Sequence, residues 1–323
     1  MDFSSKLYNF TKFYTNLYFY IALLPLICYN FNVMKILNEN NNIILTEVKD
    51  FNLQHIFDCG QCFRWEREAK NCYIGVAFGK ALKISQDKDT IILYNTTRED
   101  FDKIWFNYFD FGTDYQSIKK ALSKDAVLCD AVRFGNGIRI LNQDLWECVV
   151  SFIISQSNNI PRIKKIISTL CELYGEKINY MGKTYYSFPD VNKIHSLSSE
   201  ELSLIKAGFR DKYIMSAAEF FTNEFSDTYF DSLSYDEAKK ELIKIKGIGD
   251  KVADCILLFG LSKRSSFPVD VWIKRVVEYF YFNEPQSVGK ISEFAAERFS
   301  NLGGYAQQYL FYYARENKIG INL

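Results

Sequence analysis

Two side chains in the last third of the 323-residue chain have the chemistry of a nucleophile and its electrostatic partner. Lys251 follows the turn Gly247-Ile248-Gly249, in the first turn of a helix that the apolar stripe Val252, Ile256 and Phe259 predicts. An ammonium beside a helix N-terminus meets the positive end of the dipole, which brings the nucleophilic free amine within easier reach. Asp270 ends the run Pro268-Val269-Asp270. A carboxylate there can stabilise a cation on a sugar, position the lysine, or simply cap the next helix, 272 to 280. Each residue alone has an ordinary structural explanation. Their conjunction with the hairpin favours chemistry.

The elements that must position this pair are legible on both sides. Ser234 with Glu237 forms a capping box, and Ala238, Leu242 and Ile245 follow at helical spacing. Gly247 and Gly249 are expected to allow backbone geometry that a side chain would block, leaving bare N–H groups for an anion. Around them stand Lys244, Lys246, Lys251, Lys263, Arg264, Lys274 and Arg275 against only Asp250, Asp254 and Asp270. That excess points to nucleic-acid phosphate. The evidence is local, because the whole chain carries 39 basic and 39 acidic residues. Cys255 lies one turn beyond Lys251 on the same face. Near the C-terminus Gln307 and Phe311 are four apart on one predicted helix, so an amide and a ring face the same way, as a base edge and base face require.

Earlier segments supply the scaffold. Residues 1 to 33 contain Lys6 and Lys12 ahead of an apolar run from Leu17 to Cys28, which reads either as a signal peptide or as an extension upstream of Met34. No small-residue cleavage site is evident, so the extension and an intracellular protein are expected. From Ile43 to Thr97 the alternation of Ile74, Val76 and Phe78, then Leu82 and Ile84, then Thr90 to Tyr94, predicts a small antiparallel sheet. From about Tyr115 helices dominate, with apolar faces Leu145, Val149, Phe152, Ile153 and Ile163, Ile166, Ile167, Leu170 flanking the polar link Ser155 to Arg162. Ser198 with Glu201 opens another helix, expected to end at Gly208 before Phe209-Arg210. The eight cysteines are scattered as reduced thiols, and Cys59-Gly60-Gln61-Cys62 has no second pair or histidine cluster to complete a metal site. No metal and no cofactor is expected.

The run from Ile245 to Cys255, followed by Phe267-Pro268-Val269-Asp270-Val271, resembles the helix-hairpin-helix glycosylases with the Gly/Pro…Asp signature, within them the 8-oxoguanine DNA glycosylase/lyase branch. Further motifs match at Gly60-Gln61-Cys62-Phe63-Arg64-Trp65, Asn158 to Arg162, Phe209-Arg210 and Gln307 to Phe311. The resemblance implies an α+β fold, with a β-rich domain over 34–115 and a helical HhH-GPD domain over 116–323. It implies a monomer that acts on damaged double-stranded DNA, excises 8-oxoguanine and nicks the strand through a lysine Schiff base. Lys251 and Asp270 are then catalytic. The Gly60 carbonyl recognises N7–H, Gln307 reads the Watson–Crick edge, and Phe311 and Cys255 sandwich the base. Asn158, Arg162, Phe209, Arg210, Gly247 and Gly249 contact DNA. The chain departs from the family at Ser157, which replaces an asparagine, at Trp272, which replaces a histidine, and at Ala314, which replaces an aspartate. The competing readings are a monofunctional alkylated-base glycosylase, which has no use for Lys251, and a non-catalytic DNA-holding hairpin, which leaves Asp270 and Gln307 unexplained.

Overall fold

The computed structural model describes residues 34–223 and 227–320, so the expectation for residues 1 to 33 lies outside it. Strands β1 (Lys35–Glu39) and β2 (Asn42–Thr46) are joined by Asn40 and Asn41, both left-handed as a two-residue hairpin turn requires. Helix α1 (Leu53–Asp58) follows, its N-terminus closed by the Asn52 side chain, which accepts from the His55 N–H at 3.0 Å. Then come β3 (Trp65–Ala69), β4 (Cys72–Ala77), β5 (Lys80–Asp87) and β6 (Thr90–Tyr94). The strands form one antiparallel sheet in the order β1-β2-β6-β5-β4-β3. The register lines up Ile43, Leu93, Ile84 and Tyr73 across the buried face. Trp65 and Phe57 stack beneath it at 4.3 Å. The sheet starts at Lys35 rather than Ile43 because β1 is an exposed edge, with no apolar alternation to betray it.

After the sheet, helical structure resumes at Arg98, earlier than expected, where the Thr97 side chain caps a short helix. Helix α2 (Leu145–Ser155) is buried on nearly every side and capped by Asp144. Helix α3 (Ile160–Tyr174) is capped by Asn159, with Pro161 in its first turn. The hairpin β7 (Lys177–Tyr180) and β8 (Lys183–Tyr186) was not anticipated, although Met181-Gly182, both left-handed, is its turn signal. The helix opened by the Ser198–Glu201 capping box ends at Ser203, short of Gly208, which starts a separate 3₁₀ turn. Helix α4 (Asp211–Asn223), α5 (Tyr235–Lys244), α6 (Asp250–Phe259), α7 (Val271–Val277) and α8 (Gly303–Asn317) complete the parts that carry the site.

From Lys35 onward the chain is one compact unit. The ion pair Arg64–Glu147 at 3.1 Å and the hydrogen bond from Lys164 Nζ to the Trp65 carbonyl at 2.7 Å tie the sheet side to the helices. Among the described residues no helix is long and apolar enough to cross a membrane.

Candidate active site and nucleic-acid interface

The hairpin is built as its sequence indicates, with one correction. Ser234 and Glu237 cap each other's backbone at the start of α5. Gly247 is left-handed, φ 93°, and a Cβ there would stand 2.2 Å from the Tyr213 ring, so glycine is required twice over. Gly249 is extended, φ −101°, and a Cβ on it would meet nothing within 4 Å. It is therefore not needed for backbone geometry, and it leaves α6 without a side-chain cap. Asp254, buried in α6, accepts from Tyr235 Oη at 2.6 Å and Lys239 Nζ at 3.0 Å, fixing α5 against α6.

The basic excess counted in the sequence is thinner at the surface. Lys263 donates to the Leu233 carbonyl and Arg264 to the Leu258 and Ile140 carbonyls, so both hold the fold. Lys244 and Lys274 are paired with Glu241 and Glu278. Lys246 is exposed, and Arg275 lies over the Trp272 ring at 5.6 Å.

Lys251 and Asp270 meet in a cavity of about 350 Å³. Gly60, Asn158, Cys255, Gln307 and Phe311 line the same cavity, brought from separate parts of the chain. The Lys251 amine stands over the Phe152 ring at 5.6 Å. Burial pushes the neighbouring Cys255 thiol up to about 11, so it stays protonated at neutral pH. Asp270 performs the ordinary capping role as well, accepting from the Ile273 N–H at 2.8 Å at the start of α7. Burial raises its pKa, against the opposing pull of that hydrogen bond and of the Lys251 cation.

Gly60 is left-handed, φ 80°, and its Cα edge faces Phe311; a Cβ there would lie 3.0 Å from Phe311 Cε1 and 3.3 Å from Arg315 Nη1. The rest of its motif is scaffolding. Gln61, fully buried, donates to the Ile56 and Arg139 carbonyls and accepts from the Leu141 N–H. Phe63 packs edge-on against Phe152. Cys59 and Cys62 are buried thiols, both raised well above the usual range by desolvation.

Sequence reasoning missed Arg315, Gln308 and Phe152 as cavity-lining residues. Arg315 donates to the Asp58 carbonyl and covers Phe311 at 5.3 Å, joining the Gly60 turn to α8. Its spacing from Phe311, one helical turn, was the available signal.

A wider cleft of about 750 Å³ adjoins the cavity, sharing Ser155, Asn158, Lys251, Asp270 and Trp272 with it and adding Gly249. Asn158 donates to the Ile154 carbonyl, and Asn159 caps α3. Arg162 is exposed, near enough to Arg210 for the two cations to repel. Phe209 is 56% exposed and Arg210 only 3%. The Arg210 guanidinium is engaged by the Gln156, Ser157 and Ala207 carbonyls, and Gln156 Nε2 donates in turn to the Gly247 carbonyl at 3.0 Å. In this arrangement Arg210 braces the 156–157 link against the hairpin, and the ring of Phe209 is what projects.

Residues 43–149 match the 8-oxoguanine DNA glycosylase N-terminal domain, and residues 150–301 match the HhH-GPD superfamily of base excision DNA repair proteins. The Clostridium acetobutylicum 8-oxoguanine glycosylase/lyase, solved with double-stranded DNA bearing cytosine opposite 8-oxoguanine, is 44% identical; the match covers 90% of this chain and all of that one, with a TM-score of 0.87. A probable N-glycosylase/DNA lyase of Methanothermobacter thermautotrophicus is 29% identical over 69% of this chain and 76% of its own length. The N-glycosylase/DNA lyase of Saccharomyces cerevisiae is 36% identical over 45% of this chain and 42% of its own.

Proposed function

The chain belongs to the HhH-GPD superfamily of base excision DNA repair proteins, in the 8-oxoguanine glycosylase/lyase branch, and on that premise we propose how its own residues carry out the reaction. It excises 8-oxoguanine from duplex DNA and nicks the strand. The observation that carries the reading is the convergence of Lys251, Asp270, Gly60, Cys255, Gln307 and Phe311 on one cavity of base-sized volume.

The damaged nucleotide leaves the stack and enters this cavity, at a cost of a few kcal/mol that Phe209 and the phosphate contacts offset. Phe311 and the neutral Cys255 thiol hold the base by its faces, Gln307 takes its Watson–Crick edge, and the Gly60 carbonyl accepts from N7–H. The Lys251 amine attacks C1′ as the N-glycosidic bond breaks, and the base leaves with the electron pair of that bond. Asp270, close enough to Lys251 for their charges to interact, stabilises the positive charge that develops on the deoxyribose. The resulting amine adduct opens to a Schiff base, loss of a C2′ proton expels the 3′ phosphate, and the strand is nicked. Asn158, Arg162 and the turn of Gly247 and Gly249 hold the duplex around the cavity, while the buried Arg210 acts through the 156–157 link that it braces. The place of action is wherever the cell keeps its DNA.

Borohydride trapping tests this reading on duplexes carrying 8-oxoguanine opposite each of the four bases. A covalent adduct in the wild type, absent in Lys251→Gln, is expected. Free base without an adduct points instead to a monofunctional glycosylase, and continued incision by Lys251→Gln refutes the assignment of the nucleophile.

A further inference from the structure

Two glutamine amides, not one, stand in the base cavity. Gln307 and Gln308 are adjacent on α8, both almost fully buried, and both line the cavity. The Pro268 carbonyl can only accept, so the amide nitrogen of Gln307 must face it, at 3.3 Å. That leaves Gln307 Oε1 on the opposite side, where Gln308 Nε2 donates to it at 2.8 Å. Gln308 Oε1 itself has no partner among the described residues. A leucine or methionine would fill the same space without burying an unsatisfied oxygen. Gln308 therefore contributes something that packing alone does not require.

A free primary amide is two-faced. With N–H toward the 6-position it complements guanine, whose edge presents O6 and then N1–H; rotated by half a turn it complements adenine, whose edge presents the 6-amino group and then N1. We propose that Gln308 is a positioning residue that locks the Gln307 amide in one of these orientations and so sets the discrimination between oxidised guanine and oxidised adenine. In the opposite orientation Gln307 Oε1 would face the Pro268 carbonyl, a repulsive contact, and the two amide nitrogens would meet unless the Gln308 amide turned as well. The locked amide still has one lone pair on Oε1 and one hydrogen on Nε2 to offer a base, as the guanine edge needs.

This inference rests on the proposal that Gln307 reads the edge of a flipped purine. The test is single-turnover excision by the full chain from duplexes carrying either 8-oxoguanine or 8-oxoadenine, for the wild type, Gln308→Leu and Gln308→Met. The wild type favours 8-oxoguanine. In both variants the ratio of the two kcat/KM values falls about five- to tenfold, the worth of one orienting hydrogen bond, through a gain on 8-oxoadenine as well as a loss on 8-oxoguanine. An unchanged ratio, or equal loss on both substrates, overturns the role, since damage to the fold lowers both together. A wild type that excises the two bases equally overturns it with no variant needed. A wild type that excises neither removes the functional reading itself, which is a separate outcome. If Gln308→Leu does not fold, the unbranched Gln308→Met carries the same comparison.

Discussion

Replacing Gly60 by alanine perturbs the base cavity with one methyl group. The position is left-handed, φ 80°, and the new Cβ falls 3.0 Å from Phe311 Cε1, where carbon atoms ordinarily pack at about 3.5–4.0 Å. The backbone conformation costs about 1–2 kcal/mol for an L side chain. The ring must also give by about 0.5 Å or more to reach an ordinary contact. Arg315 covers Phe311 and is itself bonded to the Asp58 carbonyl, so the ring cannot retreat freely. At about 1.5 °C per kcal/mol for a chain of 323 residues, Tm falls by about 1.5–3 °C. Misplacing a group that seats the base lowers kcat/KM for 8-oxoguanine excision by about 10–100-fold. The assay pairs this with strand cleavage at a preformed abasic site, which has no base to seat and uses only Lys251 and its surroundings. Cleavage of the abasic site should persist while base excision is lost. Wild-type excision by Gly60→Ala, or parallel loss of both activities, refutes the argument that this turn shapes the base site.

Further outcomes follow from the same geometry. Phe209→Ala removes an exposed ring, so stability should change by no more than about 0.5 kcal/mol, whereas single-turnover excision from duplex DNA falls about tenfold as the gap in the stack goes unfilled; unchanged excision removes the wedge role. Arg210→Ala leaves the Gln156, Ser157 and Ala207 carbonyls without their donor, and urea denaturation should show a loss of about 2–4 kcal/mol together with weaker duplex binding. Burial raises the Asp270 pKa above its ordinary 3.8, so on acidification the working carboxylate takes up its proton earlier than a free aspartate would. The acid limb of the kcat/KM profile is therefore expected to have its midpoint above 3.8, and a limb at or below 3.8 contradicts it. The linked effect on stability has the opposite sense. The folded state holds this proton more tightly than the unfolded chain, so Asp270 lowers stability as pH rises from the unfolded pKa through the folded one.

Much of this protein is decided locally and can be read along the chain. The capping boxes Ser234–Glu237 and Ser198–Glu201 form as their spacing dictates, because a cap is satisfied within four residues. Strands β2, β5 and β6 follow their apolar alternation, whereas Phe78, expected to continue the alternation of Ile74 and Val76, lies beyond β4 in a left-handed turn and is exposed; the hairpin glycine Gly247 is fixed by its own φ. Edge strand β1 and the β7–β8 hairpin escaped that reading because their faces are mostly solvent-exposed, so no burial pattern is imprinted on them.

Charge behaved differently. Of the seven cations counted around the hairpin, Lys263 and Arg264 hold backbone carbonyls and Lys244 and Lys274 are ion-paired, an allocation that depends on which carbonyls and carboxylates the tertiary fold brings near. Arg210 likewise could be assigned to the loop it braces only once the Gln156 and Ser157 carbonyls had a position. The types and spacings of Lys251, Asp270, Gln307 and Phe311 determine what chemistry is available. Their meeting with Gly60 in one cavity, and the pairing of Gln307 with Gln308 and the Pro268 carbonyl, come from tertiary packing, since a hydrogen bond or a shared pocket between distant segments has no counterpart in local periodicity.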